Sequence, residues 1–131
     1  FEAAYHGLPV IAPSWSGQND FLYAPVKSGK QKKAKIRPLF AKVDYTIERV
    51  PQEAVWEGVI QQDAGWCYPK EKSAKDTMRD VYSDYPKYIG MARKLEKHIL
   101  KNFTEKNKTT QFAEAVLGEK IKEKELDLVH V

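Results

Sequence analysis

Two places near the start of the sequence carry residue types that could hold a nucleotide. Glu2 lies in Phe1-Glu2-Ala3-Ala4-Tyr5-His6, and the second place is the small polar run Ser16-Gly17-Gln18-Asn19. A carboxylate accepts two hydrogen bonds at once, which suits the vicinal diol of a ribose. Backbone N–H groups exposed in a Gly/Ser turn that opens a helix suit a phosphate, because they are unpaired donors with positive potential. The spacing lets one nucleotide touch both places. The plain alternative for Glu2 is a solvated helix carboxylate.

Other chemistries find less support. Cys67 is the only cysteine, so neither an internal disulfide nor a multi-cysteine metal site can form. It stands between Trp66 and Tyr68 with no cationic neighbour to stabilise a thiolate, and it reads as a small buried hydrophobe. A lone thiol fits a reducing cytoplasm. No His, Cys, Asp and Glu residues share metal-ligand spacing, so no metal is expected. His6 reads as a helix-end residue, while His98 and His130 lie in charged sequence and are expected to be solvated. Trp56 could stack on a sugar or base, but packing its loop onto the core is the commoner role of such an indole.

Lys27, Lys30, Lys32, Lys33, Lys35 and Arg37 form a basic loop, with Ser28-Gly29 near its tip. A solvated loop or hairpin tip is the plainest reading. Contact with an anionic membrane surface is the second, since each clustered lysine contributes about 1 kcal/mol there. Nucleic acid is the third, and it lacks support because residues 27–37 contain no aromatic stacking platform.

The elements that must position these residues follow from local signals. Residues 1–7 read as the end of a helix stopped at Gly7. Leu8-Pro9-Val10-Ile11-Ala12 is a short buried strand by length and composition. Pro13 to Asp20 is a polar turn, and residues 18–23 start a short helix. Leu39 to Val50 alternates as one strand, with Ala41, Val43, Tyr45 and Ile47 on the buried face, until Pro51 ends it. Ala64 to Tyr68 is a further strand before Pro69. Ala74, Met78, Val81, Tyr82 and Tyr85 have helical spacing, with Ser73 as N-cap. Pro86 fits the first turn of the next helix, whose apolar stripe is Ile89, Ala92, Leu95, Ile99 and Leu100. Thr104 caps a third helix with Phe112, Ala113, Val116 and Leu117 as its face, and Gly118 ends it. Residues 119–131 form a charged tail.

Helix, strands, then helices describe the tail end of an α/β domain. The 131 residues suit one domain, and 42% apolar composition is enough for a core. In open α/β sheets ligands sit at the carboxyl ends of parallel strands, where the loop after Ala12 would lie. A net charge of +4 is too small by itself to indicate nucleic acid. No apolar run is long enough to cross a bilayer, and the first residues lack the features of a signal peptide. The chain begins at Phe1 in what reads as the middle of a domain, so a piece of a longer protein is expected.

Phe1 to Asp20 resembles the pattern E-A-x-x-x-G-x-P-V-I-A followed by a small-residue turn and an acidic residue. That pattern belongs to the retaining GT-B glycosyltransferases (group 1, family 4-like), which include sucrose- and polysaccharide-building enzymes. Residues 64–117 are compatible with it: a strand with a Trp and a Pro, paired helices, then Phe103-Thr104 before another helix. The resemblance implies a partial Rossmann-like nucleotide-binding domain of GT-B type with C-terminal helices, spanning 1–118, with 23–63 an insertion. It implies that Glu2 holds the donor ribose hydroxyls and that Ser16, Gly17, Gln18 and Asn19 lie beside the donor nucleotide. The family's other donor-site glutamate, its Gly-rich turn and its diphosphate-neutralising basic residues would lie upstream, leaving no catalytic residue within this chain. Ser16-Gly17 stands where the family has Gly-Gly, and Asp20 where it has Glu; a serine restricts the backbone there.

The implied activity of the whole protein is transfer of a sugar from a nucleotide sugar to a saccharide or lipid-linked acceptor, without a protein-bound metal or cofactor. This chain alone is expected to be inactive. The alternative is a non-catalytic α/β binding or interaction module. Expected partners are the nucleotide sugar, the missing N-terminal part, an anionic membrane surface through the basic loop, and a second copy through apolar surface near residues 1–12; nucleic acid is not expected. The expected location is the cytoplasm, peripheral to a membrane.

Overall fold

Gly7 sets the first corner of the chain. It takes the left-handed backbone conformation, φ +66°, that L side chains resist. The N–H groups of Gly7 and Leu8 then close onto the carbonyls of Ala4 and Ala3, ending helix α1 (Glu2–Tyr5). A Cβ at Gly7 would also stand 2.7 Å from Nη1 of Arg93 on a later helix.

The computed structural model describes residues 1–27, 29 and 33–118. Lys30, Lys32, Ser28, His130 and the tail 119–131 lie outside the described residues. After α1 come β1 (Ile11–Pro13), a 3-10 turn (Ser16–Gln18), α2 (Asn19–Leu22), β2 (Tyr23–Val26), β3 (Lys35–Pro38), β4 (Ala41–Val43) and β5 (Tyr45–Arg49). A second 3-10 turn (Gln52–Ala54), β6 (Gly65–Pro69), α3 (Glu71–Ser83), α4 (Tyr85–Asn102) and α5 (Glu105–Leu117) complete the order. The class is mixed α/β, with the strands in three two-stranded sheets.

β1 and β4 pair in parallel, Ile11 opposite Ala41 and Pro13 opposite Val43. β2 and β3 form an antiparallel hairpin, so Lys35 and Arg37 belong to a strand rather than to the basic loop. β5 and β6 form a second hairpin. The strand expected over residues 8–12 is shorter and begins at Ile11, which stays exposed because the sheet there is only two strands wide.

The run from Leu39 to Val50 is not one strand. It breaks at Asp44, whose N–H donates to Ser73 Oγ (2.9 Å) and whose carbonyl accepts from Lys70 N–H (2.8 Å). Both groups are taken by the start of α3, so the chain leaves β1 and continues against β6. Thr77 Oγ1 adds a bond to the Lys42 carbonyl (3.1 Å). Ser73 is therefore not the N-cap of α3; the helix begins two residues earlier, at Glu71.

The main core gathers Ala4, Leu22, Leu39, Phe40, Leu95 and Ile99. A smaller cluster holds Ala41, Val81 and Tyr88. Tyr88 hydrogen-bonds to Asp80, tying α4 to α3. That bond holds the Asp80 carboxyl below its ordinary pKa and the Tyr88 phenol above its own. Fully burying a leucine or isoleucine contributes about 1.5–3 kcal/mol, so Leu95 and Ile99 anchor α4.

Candidate functional site

The loop from Ser14 to Asn19 leaves the carboxyl end of β1, beside its parallel partner β4. Ligands in α/β sheets favour this end, because strand termini there leave outward-facing backbone groups. Trp15 is extended, and Ser16 then enters the left-handed region at φ +59°, the one described non-glycine residue with positive φ. Holding a serine there costs about 1–2 kcal/mol, and such strain persists only where the surroundings impose it.

Those surroundings are a set of hydrogen bonds. Ser14 Oγ donates to Asn19 Oδ1 (3.2 Å) and lies 2.6 Å from the Tyr23 hydroxyl. Tyr45 Oη donates to the Ser14 carbonyl (3.0 Å). Gln18 Nε2 donates to the Pro13 carbonyl. The side chains of Gln18 and Asn19 thus bond within the loop, while Ser16 and Gly17 are exposed. The first N–H groups of a 3-10 turn have no acceptor inside it, so those of Ser16 and Gly17 are the donors left for a ligand. The Asn19 N–H turns back onto the Ser16 and Gly17 carbonyls.

Lys42 brings a cation to the same place. Its Nζ lies 5.2 Å from the centroid of the Tyr23 ring. The Lys42 ammonium, and after it the Ser14 hydroxyl, hold the Tyr23 phenol below its ordinary range. The ammonium and the hydroxyl pair form a donor-rich cluster at the base of the loop, whose natural complement is an anion with several oxygens.

Glu2 stands apart from this set. Its side chain is 93% exposed and 3.6 Å from the Phe1 ammonium. Its own backbone N–H, and next that ammonium, keep its carboxyl below the ordinary value. No hydrogen bond or ion pair joins Glu2 to residues 14–19; the link between the two regions is aromatic. Phe1 meets Phe21 of α2 edge-on at 5.3 Å and Phe103 at 6.0 Å, which seats α1 beside the helix that follows the loop.

Several sequence expectations come out differently. Trp56 does not pack its loop onto the core but is exposed, with its backbone bridged to Ile60. His98 is half-buried rather than solvated; its Nδ1 lies 3.1 Å from Asn102 Nδ2. Cys67 is partly buried. His6 is exposed at the end of α1, where its ring meets Tyr5 edge-on. Lys27, Lys33, Lys35 and Arg37 are exposed.

Tyr23, Lys42 and Tyr45 were missed as loop partners. Tyr45 counts by alternation as a core residue and Lys42 as an outward one. Lys42 lies on β4 and Tyr45 just beyond it, so the parallel pairing of β1 with β4 brings these two to the loop, and no local pattern encodes that pairing. Among the described residues no group of three or more His, Cys, Asp and Glu could hold a metal ion. Among them, too, no helix is long and apolar enough to cross a membrane. No protein-family profile, curated protein or solved structure matches this chain.

Proposed function

We propose that this chain forms part of the donor-nucleotide site of a retaining GT-B glycosyltransferase, within a partial Rossmann-like domain. The observation that carries the reading is the Ser14–Asn19 loop. It follows a parallel strand, holds an exposed serine in a left-handed conformation, and is tied through Ser14 to Tyr23, whose ring lies 5.2 Å from Lys42 Nζ. In this reading the amides and the ammonium meet the diphosphate, and Glu2 accepts the ribose hydroxyls. Sugar transfer would then rest on positioning the donor and stabilising the diphosphate leaving group. The sugar and acceptor contacts come from outside this chain, and a radiolabelled sugar-transfer assay on the chain alone is expected to give no turnover.

A non-catalytic interaction module is the second reading, favoured by the exposed apolar face of α5 at Phe112, Val116 and Leu117. Isothermal titration with UDP and GDP separates the two. The nucleotide reading predicts binding that Glu2→Ala weakens about tenfold or more, the loss of a hydrogen bond to a charged group. Equal heats from both proteins, or none from either, favour the module.

A further inference from the structure

Strand β2, with Lys27 and Leu39, and helix α4 line an open cleft of about 280 Å³. Lys27, Lys94, Lys97 and His98 line it, and the three lysines are exposed. Ala24, Val26 and Leu39 line it from below; Ala24 and Leu39 are buried. Among the described residues, no carboxylate lines the cleft.

The charge there is uncompensated, unlike that of several basic side chains on α3 and α4. Lys72 and Lys75 pair with Asp76 and Glu71, and Arg93 pairs with Glu96. Among the described residues, Lys27, Lys94 and Lys97 have no ion-pair partner. Lys35 stands opposite Val26 in the hairpin and adds a further cation to the same side of the chain. Unpaired lysines that surround an apolar floor fit a ligand with a charged end and a greasy end, since long basic side chains keep their heads in water above apolar surface.

We propose that this cleft binds the phosphate headgroup of an anionic lipid at a bilayer surface, with the adjoining carbon chain against Ala24, Val26 and Leu39. Lys94 and Lys97 sit on one helix and Lys27 just beyond the end of β2, so a phosphate between them is approached from two sides. Single-stranded nucleic acid fits less well, because its binding uses aromatic platforms and, among the described residues, His98 is the one aromatic ring lining the cleft. The proposal does not depend on the nucleotide loop, whose residues it does not use.

The test is sedimentation of the chain with phosphatidylcholine vesicles, with and without phosphatidylglycerol. Binding to the anionic vesicles alone is expected. Lys94→Gln combined with Lys97→Gln should lower the partition coefficient roughly thirty-fold, about fivefold per lysine. Lys94→Arg with Lys97→Arg should keep it, and Lys72→Gln with Lys75→Gln, an equal loss of charge on α3, should leave it near wild type. In a parallel titration, short-chain phosphatidic acid should shift the His98 ring signals at lower concentration than glycerol phosphate does. Equal binding to neutral vesicles, an equal loss in the α3 pair, or tighter binding to single-stranded RNA would overturn the proposal. So would glycerol phosphate matching the lipid, which would make the cleft a site for free phosphate.

Discussion

Helices α4 and α5 carry apolar residues at similar spacing and meet opposite surroundings. In α4, Leu95 and Ile99 are 0% exposed, packed with Ala4, Leu39 and Phe40. In α5, Phe112 is 71% and Val116 67% exposed. The β4–β5 run repeats the contrast within one alternating segment: Ala41 and Val43 are buried, while Ile47 is half-exposed. β4 lies beside β1 and under α3, whereas β5 has β6 alone as a strand partner. An amphipathic pattern therefore states that a face can be covered, and the neighbouring element decides whether it is.

That contrast can be broken by truncation. Leu95→Ala should cost about 2–5 kcal/mol of unfolding free energy, the loss expected for a fully buried leucine. Phe112→Ala should change stability by no more than about 0.5 kcal/mol, as for a surface substitution. Urea midpoints measure both. A large loss at Phe112 would mean that α5 is covered in solution.

A smaller effect is expected at the first corner. Gly7→Ala forces a left-handed residue to carry a Cβ, costing about 1–2 kcal/mol, and the new atom presses on the Arg93–Glu96 pair. Those side-chain ends can move aside, so the backbone conformation dominates. If thermal unfolding showed no loss, the left-handed assignment at Gly7 would be wrong.

The smallest effect distinguishes His98 from a solvated histidine. Burial, and then the positive charge of Lys108, hold its imidazole below the ordinary value of 6.5. The unfolded chain then takes up the proton first as pH falls. Stability contributed by neutral His98 is present above about pH 6.5 and declines as pH drops below it. His98→Gln should flatten the slope of melting temperature between pH 7.5 and 5, as read by circular dichroism, relative to the wild type.

What the sequence made legible is the set of features that act locally on the backbone. Gly7 and Gly118 both adopt positive φ at helix ends. Pro86 sits in the first turn of α4, and Thr104 Oγ1 accepts the Asn107 N–H (3.2 Å) as the cap of α5. Ser73 has the right residue type for a cap but bonds to Asp44, 29 positions earlier in the chain. The loop's supporting residues were hidden for the same reason. Tyr45 reaches Ser14 across 31 positions, through strand pairing that no spacing rule encodes, and Tyr23 reaches it across 9, from the strand that follows α2.

The candidate site shares this division. Glu2 and the Ser16–Asn19 turn were visible as chemical types, whereas the strain at Ser16 and the cation at Lys42 emerge only from the fold. The most direct measurement is an amide chemical-shift titration of the isotopically labelled chain with UDP, compared with uridine. A diphosphate site predicts that UDP, and not uridine, moves the Ser16 and Gly17 N–H signals, with Lys42→Ala weakening the response. Unchanged Ser16 and Gly17 signals at saturating UDP, or equal shifts from uridine, would contradict the account.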